Sequence, residues 1–421
     1  MRDERLLNRI DWVTVAIFFA LVIIGWVNIY AADYDPNSTF SALDVSQRPG
    51  KQIIFIFCSV LIFGAILLLD SKLFMTFSWV LYAVIILLLL LVLLFGTEVA
   101  GSRSWFQIGG FRLQPSEFSK FATVLALAGY LSNKNDLRDL KTLITAAGIF
   151  LLPMALIVFQ GDAGTALVFS SLILVLFKEG MSPIFLIIPL VFILLFLLTL
   201  LIPKTALVIS IFTLTALAIG FSKRTFQQIA IIGATCVVFL ITVFSVDFVL
   251  NDVLKPHQQR RIQLLVNPGQ DPLGVGWNVT QSKIAIGSGG ITGKGFLNGT
   301  QTKFDFVPAQ TTDFIFCTIG EEYGWFGTTL VLVLFGTLLM RILSIADRQK
   351  SAFARVYGYG VACIILFHTV VNISMTVGLF PVIGIPLPFI SYGGSSLWAF
   401  TILLFILLKL DAQRMQVLQR R

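Results

Sequence analysis

Charge is what this 421-residue chain has least of: Asp, Glu, Lys and Arg together make up 12% of it, about half their share in soluble domains. That scarcity excludes a cytosolic enzyme and a disordered tail protein. Cysteine is also sparse. Cys58, Cys236, Cys317 and Cys363 all fall inside apolar segments, where they read as small buried hydrophobes, so no disulfide scaffold, metal cluster or redox function follows. Of the two histidines, His368 stands alone in an apolar span with no ligand-spaced partner, which favours a core or interhelical hydrogen bond over a metal. The net charge of +8 would suggest nucleic acid in a soluble protein, but these basic residues sit in short loops, where positive-inside topology accounts for them.

What is abundant is apolar. The AVILMFWYC set makes up 57%, mean hydropathy is +0.91, and apolar runs near or above 18 residues recur, the mark of an all-α polytopic integral membrane protein. About twelve spans are expected: 12–32, 52–69, 74–96, 116–132, 142–159, 163–177, 182–202, 205–221, 226–249, 313–340, 355–379 and 394–410. The first has basic flanks but no A-x-A-like cleavage site, so it reads as an uncleaved helix. With the N-terminus cytoplasmic, inner segments hold 18 basic residues and short outer loops only Arg48, Lys51, Arg103, Arg112 and Lys204. Both termini are then cytoplasmic and the long loop at 250–312 is extracytoplasmic.

That loop opens with Lys255, His257, Arg260 and Arg261 and later carries GSGGITGKG between Gly287 and Gly295. A nucleotide P-loop needs Ser or Thr after its lysine, and Gly295 follows Lys294, so that motif is rejected. The glycines suit either tight turns and close backbone approach or an anionic ligand.

Ionisable groups at membrane depth cost about 2.5–3.5 kcal/mol each, so each is a functional candidate. Glu117 and Lys120 share a helix face just after Pro115: either a self-neutralising pair, or a cation facing a cavity with its carboxylate holding it in place. Asp313 opens the span after the long loop, as a helix N-cap, a duty Thr311 or Thr312 could share, or as a catalytic carboxylate. Glu321 and Glu322 follow about 12–13 Å along that helix, among Gly320, Gly324 and Gly327 that suggest close packing. Asp162 lies in the QGDAGT break, a structural turn or a secondary site. GLFPVIGIPLPFISYGGSS packs three prolines and four glycines before the last span; no regular helix tolerates that, so the segment must lie against protein or line a cavity.

Three stretches, GSRSWFQIGGFRLQPSEFSK (101–120), DPLGVGWNVTQSKIAIGSGGITGKGFLNGTQ running on to TDFIF (271–316), and PVIGIPLPFISYGGSS (381–396), together resemble the SEDS family of shape, elongation, division and sporulation proteins. The GIPLPF wording is closer to its RodA branch than to FtsW. The resemblance implies a SEDS-type helical bundle and an inverting peptidoglycan glycosyltransferase that polymerises lipid II on the outer face of the bacterial cytoplasmic membrane. It also implies a class B penicillin-binding protein as crosslinking partner, with membrane lipids around both.

The family's essential aspartate maps onto Asp313, its QPSE-x-x-K pair onto Glu117 and Lys120, and its tryptophan onto Trp105, with Arg103 before it and Ser104 where the family often has Arg. Asp313 is the expected base for the GlcNAc 4-hydroxyl. Lys120, with Arg103, Arg260, Arg261 and Lys294, is expected to stabilise the leaving pyrophosphate. Asp162, Glu321, Glu322 and Ser391 are secondary candidates. A divalent cation such as Mg or Mn could share the pyrophosphate's charge, though no ligand cluster shows one. Two departures stand out: PAQTTDF replaces the usual PE-x-HTDF, with Ala309 for Glu and Thr311 for His, and the family has ten spans where twelve are counted. An inserted hairpin within 182–249 would add two helices and leave the sidedness unchanged. The competing classes are a lipid-linked sugar flippase, a non-catalytic scaffold, and an O-antigen-ligase-like transferase. Polar material gathered in the outer segments weighs against the first, and the three motifs against the last.

Overall fold

The computed structural model describes residues 9–34, 43–99, 101–109, 111–133, 137–222, 225–248, 250, 252, 259, 275–303 and 306–414. Long apolar runs form helices, which satisfy their backbone hydrogen bonds internally. In chain order these are α1 (Trp12–Asp33), α2 (Arg48–Leu68), α3 (Ser71–Thr76), α4 (Ser78–Phe95), α5 (Pro115–Ser132), α6 (Leu140–Phe159), α7 (Ala163–Val168) and α8 (Ile173–Lys178). There follow α9 (Ile184–Leu201), α10 (Lys204–Phe221), α11 (Phe226–Phe248), α12 (Val275–Ser288), α13 (Thr300–Lys303), α14 (Ile315–Asp347), α15 (Ala352–Thr376) and α16 (Gly394–Ala412). Between α4 and α5 the chain makes a three-stranded antiparallel meander of β1 (Thr97–Val99), β2 (Ser102–Ile108) and β3 (Phe111–Leu113), the one regular sheet among the described residues.

Every expected span coincides with a helix, and ten of them are long and apolar enough to cross a membrane. The other two are special for physical reasons. Helix α5 carries Glu117 and Lys120, yet 15 of its 18 residues are buried by neighbouring helices, so protein rather than lipid surrounds its charges. The segment Ala163–Lys178 is broken by a 3₁₀ turn at Phe169–Leu172 between α7 and α8.

Contacts divide the chain into two compact units, Met1–Met181 with Trp277–Arg421, and Ser182–Gly276. In the first, α15 and α16 are central, with 72% and 83% of their most apolar windows buried. A methyl on Gly360 of α15 would lie 2.4 Å from Val124 of α5, the close approach that small residues permit between membrane helices. At one end of this unit Asp11, which caps α1, meets Arg341 of α14 at 2.6 Å, while Asp411 of α16 accepts from Arg348, Gln349 and Arg414. At the same end Arg355 grips Glu179 with two bonds of 3.0 and 2.8 Å. In the second unit α9, α10 and α11 share a small core of Leu195, Leu207, Ile211, Cys236 and Val243.

Helix α14 is two helices end to end, because Gly324 (φ 60°, ψ −152°) breaks it. The glycine-rich stretch after α12 fills the break: Trp325 and Phe326 N–H groups donate to Gly290 and Ile291 carbonyls, and Lys294 and Gly295 N–H groups donate to Glu321 and Glu322 carbonyls. A methyl on Gly293 would sit 2.1 Å from the Glu322 carbonyl oxygen, and one on Gly324 2.4 Å from the Gly293 nitrogen. The close backbone approach that the glycines allow is realised here. Gly324 occupies a conformation essentially reserved for glycine, so Gly324→Ala should lower the melting temperature of the detergent-solubilised protein by several degrees. Gly336→Ala, where an added methyl meets open space, should barely move it; equal melting temperatures for the two would refute this account of the kink.

Candidate functional site around Asp313

The first turn of α14 is entered through Phe314, and no side chain caps it, so Asp313 is not the N-cap that the sequence allowed. Ala309, at φ 57°, turns the chain, and its carbonyl accepts from the Thr312 and Phe314 N–H groups. This turn delivers Asp313 to the irregular link between α15 and α16. A methyl on Gly384 of that link would lie 3.5 Å from Asp313 Oδ2, and the Asp313 carbonyl accepts from Asn372 Nδ2 at 2.8 Å.

The link is held by side chains. Asn372 also donates to the Ile385 carbonyl (2.8 Å), and His368 Nδ1 lies 3.1 Å from the Pro386 carbonyl. A carbonyl can only accept, so that ring nitrogen carries the proton. Ser391 Oγ accepts from the Leu387 N–H and donates to the Thr312 carbonyl, and the Tyr392 N–H donates to the Thr311 carbonyl.

On its other side the link meets the QGDAGT turn, for a methyl on Gly164 would be 2.1 Å from the Ile383 carbonyl oxygen. Asp162 caps α7, accepting from Thr165 N (3.0 Å) and Thr165 Oγ1 (2.8 Å), and takes a third bond from Gln114 Nε2 (3.0 Å). Burial in this turn pushes its carboxyl above the usual carboxylate range, against the pull of the Thr165 bonds. Adjacent link residues, Ile383 and Gly384, therefore carry the Asp162 turn and Asp313.

The Glu117–Lys120 pair is formed at 2.8 Å with both side chains 2% exposed. Lys120 Nζ stands 4.8 Å from the centre of the Phe400 ring, whose edge-on neighbour at 4.9 Å is His368. The chain of contacts from Lys120 through Phe400 and His368 thus reaches Pro386 and the link. Strand β2 runs along the same turn: the Arg103 N–H donates to the Gln160 carbonyl at 2.9 Å. Arg103 is exposed and Trp105 half-buried, whereas Ser104 points inward and shares a hydrogen bond with Ser102.

Other expected site residues are elsewhere. Glu321 accepts from Lys294 Nζ at 2.7 Å and from the N–H groups of Thr300, Gln301 and Thr302, so it tethers the start of α13 and engages Lys294. Glu322 accepts from the Leu297 N–H. Both carboxylates serve the glycine-rich stretch rather than the link. Arg260 and Arg261 lie outside the described residues. Sequence reasoning missed Asn372 and Gln114, and it took Arg48 for a loop charge. Arg48 is bonded to Asp33 at 3.0 Å and reaches Thr311 Oγ1 at 3.5 Å, two residues from Asp313. Asn372 alone had a signal, an amide inside an apolar span.

A family described as "Cell cycle protein", which groups FtsW, RodA and SpoVE, matches residues 11–205 and 181–416. The chain belongs to the FtsW/RodA/SpoVE family. Over 428 residues it is 34% identical to the peptidoglycan glycosyltransferase RodA of Treponema pallidum, covering 96% of this chain and 98% of that one. It is 34% identical over 318 residues to the peptidoglycan glycosyltransferase MrdB of Escherichia coli strain K12, covering 75% and 73%. Among solved structures it resembles a chain from a study of how a peptidoglycan synthase complex coordinates polymerization and crosslinking (TM-score 0.70, 26% identity, 97% and 99% covered). The fold also matches crystalline Thermus thermophilus rod shape determining protein RodA (TM-score 0.62, 24% identity, 96% and 97% covered). This FtsW/RodA/SpoVE member is a multi-pass protein of the bacterial inner membrane.

Removing one partner of a buried ion pair costs about 3–5 kcal/mol, because the other charge is left uncompensated. Lys120→Met should therefore lower the melting temperature sharply, while Glu117→Gln combined with Lys120→Met should restore most of it. Thermal unfolding of the three proteins checks this; an unchanged melting temperature in Lys120→Met would show that the pair carries no buried charge.

Proposed function

We propose that this chain is the peptidoglycan glycosyltransferase of cell elongation, joining lipid II units into glycan strands on the outer face of the membrane. The observation that carries this reading is the setting of Asp313: a half-buried carboxylate beside Gly384, with Asp162, Gln114 and the Lys120–Glu117 pair reached through the same link. Family membership and the names of the Treponema and Escherichia relatives support it.

In this reading Asp313 accepts the proton of the acceptor's GlcNAc 4-hydroxyl as that oxygen attacks the anomeric carbon of the donor's MurNAc. The new O4–C1 bond forms as the bond from C1 to the phosphate oxygen breaks, the anomeric centre inverts, and polyprenyl pyrophosphate leaves with the electron pair. Lys120 acts from within the protein rather than by touching the pyrophosphate, since its ammonium is already bonded to Glu117. The exposed Arg103, with Arg260 and Arg261, is left to reach the pyrophosphate directly, whereas Lys294 is engaged by Glu321. A divalent cation such as Mg or Mn would take most of its ligands from the pyrophosphate itself; among the described residues no three His, Cys, Asp or Glu side chains converge to hold one.

The proposed partner is a class B penicillin-binding protein, in line with the synthase complex that yielded a similar chain. We read both termini as cytoplasmic, and the Ser182–Gly276 unit as holding two helices beyond the family's ten. Two features support the latter: that unit is compact by itself, and the family match falls into two pieces that overlap over 181–205.

The reading is tested by polymerisation of purified lipid II in liposomes with the partner present. Asp313→Asn should reduce product to background while the protein folds and inserts normally. Wild-type strand synthesis by that variant would remove Asp313 from the mechanism.

A further inference from the structure

Three consecutive carbonyls lead into α14, those of Thr311, Thr312 and Asp313, and each accepts from a group outside its own segment. The Tyr392 N–H donates to the first at 2.9 Å, Ser391 Oγ to the second at 2.6 Å and Asn372 Nδ2 to the third at 2.8 Å. Two of the three donors are side chains, and both also hold the link. Asn372 donates to the Ile385 carbonyl, next to Gly384, and Ser391 accepts from the Leu387 N–H. Asn372 is 0% exposed and Ser391 4%, so no solvent competes for these bonds. Each side chain thus ties the backbone that carries Asp313 to the backbone against which its carboxylate lies.

We infer that Asn372 and Ser391 are positioning residues for Asp313, fixing the reach and direction of its carboxylate relative to the link. This rests on the reading of Asp313 as the reacting base. The geometry is that of a bracket. If either donor is lost, the carbonyl at position 312 or 313 loses its partner, and the turn can rotate toward another donor. A misplacement of about 1 Å at a reacting group costs on the order of 100-fold in rate, so a small rotation is enough. Fold and substrate-binding surfaces elsewhere are untouched by such a change, which separates positioning from general stability. Ala309, with its φ of 57°, sets the opposite side of the same turn, so the segment is constrained from both ends.

The test uses full-length protein with its partner in liposomes, with lipid II as substrate, and compares Asn372→Leu, Ser391→Ala and Ser391→Thr with wild type. Leucine keeps the branching of Asn372 at Cγ but removes its donor; threonine keeps the hydroxyl of Ser391. The expected result is a fall in kcat of about 10- to 100-fold for Asn372→Leu and Ser391→Ala, with KM within about twofold of wild type, and recovery of at least half of the wild-type kcat in Ser391→Thr. The inference is overturned if both single variants keep wild-type kcat. It is equally overturned if KM rises in proportion to the loss, or if Ser391→Thr is as slow as Ser391→Ala. Should Asn372→Leu fail to fold, Ser391→Ala and Ser391→Thr decide the matter by themselves. An active Asp313→Asn protein would instead defeat the underlying reading, an outcome the single variants cannot mimic.

Discussion

Irregular backbone buried in an apolar protein has to find partners for its N–H and C=O groups, since water is not there to supply them. The link between α15 and α16 lives under that constraint, and much of the site follows from it. His368 serves the Pro386 carbonyl, Asn372 that of Ile385, Ser391 the Leu387 N–H, and Gln52 the N–H of Gly393. Gly25 of α1 and Gly164 of α7 let the Ile390 and Ile383 carbonyls come close where a side chain would block them. The partners come from α15, from α2 and from the link itself, and the close glycines from α1 and α7, so these helices are fixed around the link by its own polar needs. The residues placed beside Asp313 and Asp162 are a by-product of satisfying that backbone.

Charge obeys the same logic. Lys120 and Glu117 neutralise each other beneath the link, the Phe400 ring covers the ammonium, and Asp162 spreads its charge over three donors. At the far end of the unit Asp11 and Asp411 collect Arg341, Arg348 and Arg414 where α1, α14 and α16 end. The two charged layers are separated by apolar helix, so the chain's few ionisable groups act as fixed points at both ends of a bundle whose middle is held by packing and by neutral bonds such as Tyr357 to the Leu403 carbonyl and Tyr82 to the Ile149 carbonyl.

Much of this was legible in the sequence. Spans could be found because lipid and core both select long apolar runs, and the link announced itself through its prolines and glycines. Boundaries slipped where polar residues find partners: the span expected at 313–340 continues to Asp347, because Arg341 meets Asp11 and Asp347 accepts from Tyr359. Hydropathy counts such residues as breaks. Asp162 has the structural turn role that was one of its readings, in the form of a helix cap, and Glu117 and Lys120 form the expected pair, alongside their place near the link. What could not be read was anything that depends on how the chain folds back on itself, near or far in sequence. Glu321 looks like a membrane carboxylate until the glycine-rich stretch folds back over it. The meander at 97–113 was hidden because its strands are short and pair only with each other.

The broken segment Ala163–Lys178 has a consequence for the lipid around it. Its 16 residues reach about 24 Å as a helix, short of the roughly 30 Å hydrocarbon thickness of a bilayer. Leu174 and Phe177 are exposed on it, so part of its surface faces outward rather than into the bundle. A span that is too short is accommodated by drawing the two leaflets together. Where that is the accommodation used, the bilayer is thinnest beside the Asp162 turn, and a lipid resting there would ride deeper than its neighbours.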